Sequence, residues 1–281
     1  MTDAEPWTCP ACRTPVTTRY CPACGEPRLH AHDLTLRGLL HQALEAFTSL
    51  DARLPRSVWN LVRRPGFLTV RYVEGPRKLY VGPFALFLLA NLFFVGMEAL
   101  TNSNVFSTPL QKHLHNQPWD QLAQTLISRR LEATGSTLEA YAPIFDQAVA
   151  KHAQSLIILM VLPFALLPAM IFRRCRRPFA AHLAFSLHFF TFVLLAICTV
   201  LVMIGVNLLF GGAEVVSPRV DDAISVGLLL VGGIYLYLAT GPVYGARGVR
   251  RTIEALVLLV AGVSVFLGYR FALLLLTLYS T

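Results

Sequence analysis

Cysteines 9, 12, 21 and 24 stand as C-x2-C-x8-C-x2-C within the stretch "CPACRTPVTTRYCPACGEPR". Each pair can grip one ion from a tight knuckle, and two knuckles supply tetrahedral four-thiolate ligation. Gly25, directly after the second pair, permits the left-handed turn that brings backbone N–H groups toward sulfur, and Pro10 and Pro22 stiffen the entry to each knuckle. Four thiolates suit Zn2+ best, with iron the alternative. Protein groups fill all four positions, so no water is activated and the expected role is structural, one zinc per chain. A ribbon of about 20 residues builds no apolar core and depends on its metal to fold. His30 and His32 read as solvated linker histidines, and Cys175 and Cys198 as two unpaired thiols.

The elements that must carry this ribbon have a different character. Of 281 residues 55% are hydrophobic and 14% charged, against about 25% charged in an ordinary soluble domain. Apolar runs near bilayer length fall at about 80–100, 155–172, 183–209, 223–241 and 253–278. The expected fold is an all-α membrane protein of about five transmembrane helices, preceded by a small N-terminal zinc ribbon and amphipathic interfacial helices. Pro163 and Pro168 predict a kink in the short second run, and the third and fifth runs are long enough to tilt. The domains follow: ribbon 1–30, cytoplasmic juxtamembrane helices 31–79, and a bundle 80–281 with an outer helical segment 101–154.

Charge sets the expected topology. Eighteen of the 24 Lys and Arg residues fall before the first run, in "RRCRR" after the second, or in "RGVRR" after the fourth. That bias places the N-terminus in the cytoplasm and the C-terminus outside. The opening "MTDAEPWT" carries neither the basic nor the apolar region of a signal peptide. A reducing cytoplasm favours metal over disulfides at the four cysteines. The net charge of +8 is explained first by this topology, and membrane lipids are expected partners. Nucleic acid is not, because the ribbon has no recognition helix or dense basic stripe.

Between ribbon and bundle, Asp33 or Thr35 can cap a helix whose apolar positions are Leu36, Leu40, Ala43, Phe47 and Leu50. "LPRSVWNLVRR" and "PGFLTVRYVEG" predict two short helices, the latter opened by Pro65 and closed by Gly75. Trp59, Tyr72 and Tyr80 suit the headgroup level beside an anionic leaflet. This region resembles a family of uncharacterised bacterial membrane proteins that join a zinc ribbon to the pattern P-G-x5-Y-x2-G-x-R-x2-Y-x2-P. The matching residues are Pro65, Gly66, Tyr72, Gly75, Arg77, Tyr80 and Pro83. The resemblance covers roughly residues 9–95 and implies a protein of the bacterial cytoplasmic (inner) membrane with no assigned reaction. The first knuckle reads "CPACR" rather than ending in glycine, a small departure that does not threaten the metal site.

Polar residues inside spans are costly and therefore candidates for function: Asn91, His188, Asn207 and Arg270. Asn91 and Asn207 suit interhelical hydrogen bonds, Glu254 suits pairing with Arg250, and Arg270 suits snorkelling to the outer interface. In the outer segment Trp119, Leu122 and Leu126 share one helical face, and Tyr141, Phe145 and Val149 another. No Ser/His/Asp set, H-E-x-x-H or phosphate loop occurs, so no catalytic residue is assigned. Three functions fit, in order: a non-enzymatic adaptor or assembly factor whose ribbon docks a protein partner; a transporter or channel; a membrane enzyme acting on lipid or envelope precursors through Arg77, Lys78 and His188. A homo-oligomer is compatible with each.

Overall fold

The computed structural model describes residues 6–28, 53–75, 79–101, 103, 105–210 and 218–281. The expected helix over Leu36–Leu50, His30, His32, Arg77 and Lys78 lie outside the described residues. The chain divides into two compact units, Met1–Phe94 with Ala165–Val260, and Val95–Phe164 with Ala261–Thr281.

The ribbon pairs β1 (Trp7–Thr8) antiparallel with β2 (Pro15–Val16), Trp7 opposite Val16, and a bridge joins Tyr20 to Pro27. Two strands of two residues cannot bury an apolar face. Cys9, Val16 and Cys21 are buried together, with Trp7 and Ala11 packed on them.

The remaining described structure is helical: α1 (Arg53–Arg63), α2 (Phe67–Glu74), α3 (Pro83–Thr101), α4 (Leu110–His115), α5 (Asp120–Thr134) and α6 (Leu138–Leu156). Then come α7 (Val161–Ile171), α8 (Phe179–Leu209), α9 (Pro218–Tyr244) and α10 (Gly248–Ser280). Four of these, α3, α8, α9 and α10, are long and apolar enough to cross a membrane. The chain is thus an all-α membrane protein. At 33 residues α10 reaches about 50 Å, well beyond a hydrocarbon layer of about 30 Å, so it tilts or projects.

A fifth candidate span is a broken one. Segments 138–153 and 157–171 meet at 63°, with a 3-10 turn, Ile157–Met160, at the junction. The expected run 155–172 is therefore not one straight helix. Pro163 stands in the first turn of α7, where its missing N–H is harmless, but its ring crowds the carbonyl of Leu159 four residues back. The bend accordingly precedes Pro163 rather than following it.

In the first unit, α2 packs against both α8 and α9, with Leu68, Thr69 and Tyr72 buried. Tyr72, expected at the headgroup level, is a core residue, because its helix lies within the unit rather than on a surface. Trp59 on α1 is exposed, with the Arg63 guanidinium 4.9 Å from its ring centroid. The Ser57 hydroxyl donates to the Arg53 carbonyl at 2.7 Å and accepts the Val81 N–H at 2.9 Å, tying α1 to the entry of α3.

In the second unit, Asp146 on α6 accepts the Leu110 N–H at 2.8 Å and Gln124 on α5 donates to the Leu114 carbonyl at 2.8 Å, which closes α4, α5 and α6 on one another. The Tyr269 hydroxyl donates to the Ala153 carbonyl at 2.7 Å, tying α10 to α6 beside the bend.

Candidate functional site

The four cysteines converge: all four sulfurs lie within 4.8 Å of one another and all are free thiols. Cys9 and Cys24 are 3.5 Å apart and Cys12 and Cys21 3.4 Å, close to the roughly 3.8 Å edge of a tetrahedron with 2.3 Å metal–sulfur bonds. The two knuckles repeat one backbone design. The N–H of the first cysteine bonds to the carbonyl five residues on, Cys9 to Thr14 and Cys21 to Glu26. Its carbonyl takes the N–H four residues on, from Arg13 at 2.8 Å and from Gly25 at 2.7 Å. That fourth residue is left-handed in both, with φ +60° at Arg13 and +72° at Gly25. Glycine supplies this conformation freely; arginine adopts it under strain.

Electrostatics fit the same purpose. Hydrogen bonds from the Thr14 hydroxyl, 3.2 Å away, and the Thr14 backbone hold the Cys12 thiol down to about 6. Cys24 is favoured as thiolate by the Glu26 backbone, yet burial and the neighbouring sulfurs push it up to about 12. Sulfurs this close cannot all ionise unless a cation sits among them. The donor set and spacing fit a tetrahedral divalent ion, held by Cys9, Cys12, Cys21 and Cys24 with no position open.

The juxtamembrane pattern has a separate logic. Gly66 has φ +83°, and a Cβ there would approach the Ala239 carbonyl oxygen to 2.7 Å and Pro242 Cγ to 2.9 Å. Its glycine lets α2 start against the backbone of α9, where the Tyr235 hydroxyl meets the Gly66 backbone. Gly75, at φ +117°, ends α2 by donating its N–H to Arg71 at 3.1 Å. Tyr80 stands edge-on to Phe67 at 5.8 Å, and the guanidiniums of Arg64 and Arg71 lie 5.7 and 5.4 Å from the same ring. Pro83 opens α3, where no N–H is required.

His188 is buried on α8, its Nδ1 2.9 Å from the Thr69 hydroxyl on α2. Thr69, which the sequence did not single out, therefore keys α2 into the bundle across 119 residues. Nearby on α8, His182 Nδ1 bonds the Tyr244 hydroxyl at 3.1 Å, and the Tyr244 ring stacks on Phe172 at 3.9 Å. Glu254 pairs with Arg250 at 2.6 Å. Asn91 and Asn207 are half-buried on α3 and near the end of α8.

In the second unit Arg270 is half-buried, its guanidinium 4.6 Å from the Phe266 ring centroid. Its charge reaches His113, whose Nδ1 accepts the Trp119 indole N–H at 3.2 Å and whose imidazole is held down to about 4 by burial first and by Arg270 second. Glu98 is buried as well and accepts the Val105 N–H at 2.8 Å. His113 lies in no pattern that the sequence alone would read as a site, whereas Glu98 lies within the apolar run 80–100 and its acidic side chain was the signal that could have found it.

No curated protein and no solved structure matches the chain. A family described as "Protein of unknown function (DUF3667)" matches residues 51–95, the segment from α1 through α2 into α3, so a domain of that family is found there.

Proposed function

We propose that this chain is a multi-pass protein of the bacterial cytoplasmic membrane and a non-enzymatic adaptor or assembly factor, whose zinc-bound ribbon docks a protein partner in the cytoplasm. The observation that carries the reading is the closed coordination set: four free thiols within 4.8 Å of one another leave no position for substrate or activated water. His188, the histidine an enzyme reading would use, is buried and hydrogen-bonded to Thr69, which speaks for a packing role. Zinc is the ion this reading takes, because a structural docking knot needs a closed tetrahedral thiolate site and no redox change at the metal. In the proposed topology the ribbon is cytoplasmic and the C-terminus outside; reporter fusions at Asn104, Cys175, Ala213, Gly245 and the C-terminus test it, and a cytoplasmic signal at Asn104 overturns it.

The decisive experiment is affinity capture from mild detergent with the intact ribbon and with Cys21→Ser/Cys24→Ser. A partner retained by the intact ribbon and lost with the metal supports the adaptor. Partners held equally by both chains would reject it.

A further inference from the structure

Met170, Ile171, Arg173, Arg174 and Arg250 line a surface cavity of about 480 Å³ in the first unit. The turn that carries Arg173 and Arg174 is fixed by the fold, and their side chains are exposed. The linker after α7 is a 3-10 turn, Arg173–Cys175, closed by Arg176 in the left-handed region at φ +46°. The Cys175 N–H bonds to the Phe172 carbonyl at 2.9 Å and its thiol to the Tyr244 carbonyl at 3.5 Å, while Phe172 stacks flat on Tyr244. Arg250 is held from the other side by Glu254, through Nε alone, which leaves its two terminal nitrogens uncommitted among the described residues. Three guanidiniums against one carboxylate leave a net positive mouth.

The two helices that contribute to the cavity expose apolar side chains. Leu166 and Met170, one turn apart on α7, are 54% and 70% exposed, and Val249 and Ile253 on α10 are 77% and 57% exposed. Apolar side chains this open, beside a cationic cavity at the ends of membrane helices, match a molecule with an anionic head and a hydrocarbon tail. Basic pockets between transmembrane helices take lipid headgroups in this way. Arginine, with its planar fork of donors, is also the side chain suited to phosphate.

We propose that this cavity binds an anionic glycerophospholipid, its phosphate on Arg173, Arg174 and Arg250 and its acyl chain along α7 and α10. The proposal rests on the membrane assignment but not on the adaptor reading, and its test is independent of the ribbon. Purified full-length protein in mild detergent is titrated with phosphatidylglycerol, phosphatidylcholine and inorganic phosphate, and bound lipid is counted by native mass spectrometry. Phosphatidylglycerol should bind about tenfold tighter than phosphatidylcholine, and millimolar inorganic phosphate should not displace it. Arg173→Gln/Arg174→Gln should weaken phosphatidylglycerol about tenfold or more, at roughly 1 kcal/mol per basic residue. Arg176→Gln/Arg177→Gln removes the same charge from the same linker outside the cavity lining and should change affinity less than about twofold. Equal losses in the two double variants would reduce the site to a diffuse basic field and overturn the proposal. So would equal binding of the two lipids, or displacement by phosphate alone. Arg250 is left intact because its removal would strand the Glu254 carboxylate.

Discussion

At the scale of single residues, backbone conformation decides more than charge. Arg13 and Gly25 occupy equivalent places four residues after Cys9 and Cys21, and both are left-handed. A side chain costs about 1 kcal/mol there. Arg13→Gly should therefore raise metal affinity about fivefold, read by competition with a chelator; unchanged affinity would mean that the knuckle relaxes around arginine. Gly66 combines the same conformation with a backbone carbonyl 2.7 Å from any added Cβ. Gly66→Ala should cost about 2 kcal/mol or more in thermal unfolding, because α9 cannot yield as a flexible side chain would. Gly135, at φ +64° with open space around it, is the control: alanine there should cost only the backbone strain, about 1 kcal/mol. His113 supplies a pH dependence. Its imidazole protonates near 6.5 when unfolded and about 4 when folded, so its contribution is present above 6.5 and lost as pH falls toward 4. The protection factor for amide exchange in α4, corrected for the intrinsic pH dependence of exchange, should fall across that window, and His113→Phe should flatten the response.

At the scale of elements, the join between α9 and α10 shows how a helix defect is repaired. Pro242 has no N–H, so the Leu238 carbonyl four residues back loses its helical partner. Arg251 replaces it, with Nη2 donating to Leu238 at 3.0 Å and Nε to Tyr237 at 2.6 Å, while the guanidinium lies 4.3 Å from the Tyr237 ring centroid. Gly241 makes the room, since a Cβ there would meet Arg251 Cζ at 2.7 Å. Arg251→Gln should destabilise the unit by about 1–3 kcal/mol, and Pro242→Ala in the same chain should return part of the loss by restoring the helical donor. Equal stability of Arg251→Gln and the parent would show that water or lipid headgroups cap these carbonyls equally well. In the sequence Arg251 is one more basic residue of "RGVRR", because its partners lie 13 and 14 residues upstream and meet it only once the turn is folded. The same limit applies to α2. Its end was legible from Gly75 and its start, two residues early, from Pro65, which lies in the turn before Gly66, and the long apolar runs were legible from hydropathy, since all are local signals. Its burial was not, because Thr69 and His188 meet across 119 residues, and the arginines around Phe67 make the segment look like a surface helix. The cysteine cluster was legible in full because its spacing is its geometry.

At the scale of the whole molecule, two kinds of stability coexist in one chain. Among the described residues the ribbon's buried apolar cluster is Cys9, Val16 and Cys21, with Trp7 and Ala11 alongside, too little apolar surface to offset the ordering of some twenty residues. Its folding free energy is therefore expected to come largely from ligation. The helices draw on other sources: burial against lipid, and contacts such as α2 with α8 and α9 and the Tyr269 bond to the Ala153 carbonyl, none of which involves a cysteine ligand. Cys21→Ser/Cys24→Ser removes two of the four ligands, one of them buried in the ribbon. The purified variant should carry no zinc by elemental analysis, and limited proteolysis should cut within residues 6–28, where the parent resists. The membrane helices should insert unchanged, giving the same protected fragments in vesicles and the same helical circular dichroism after the ribbon has been clipped. One zinc per chain in the double variant would mean that other ligands complete the site. Failure of the spans to insert would mean that the ribbon guides assembly of the bundle, and ligation and membrane insertion would then have to be treated as one folding event.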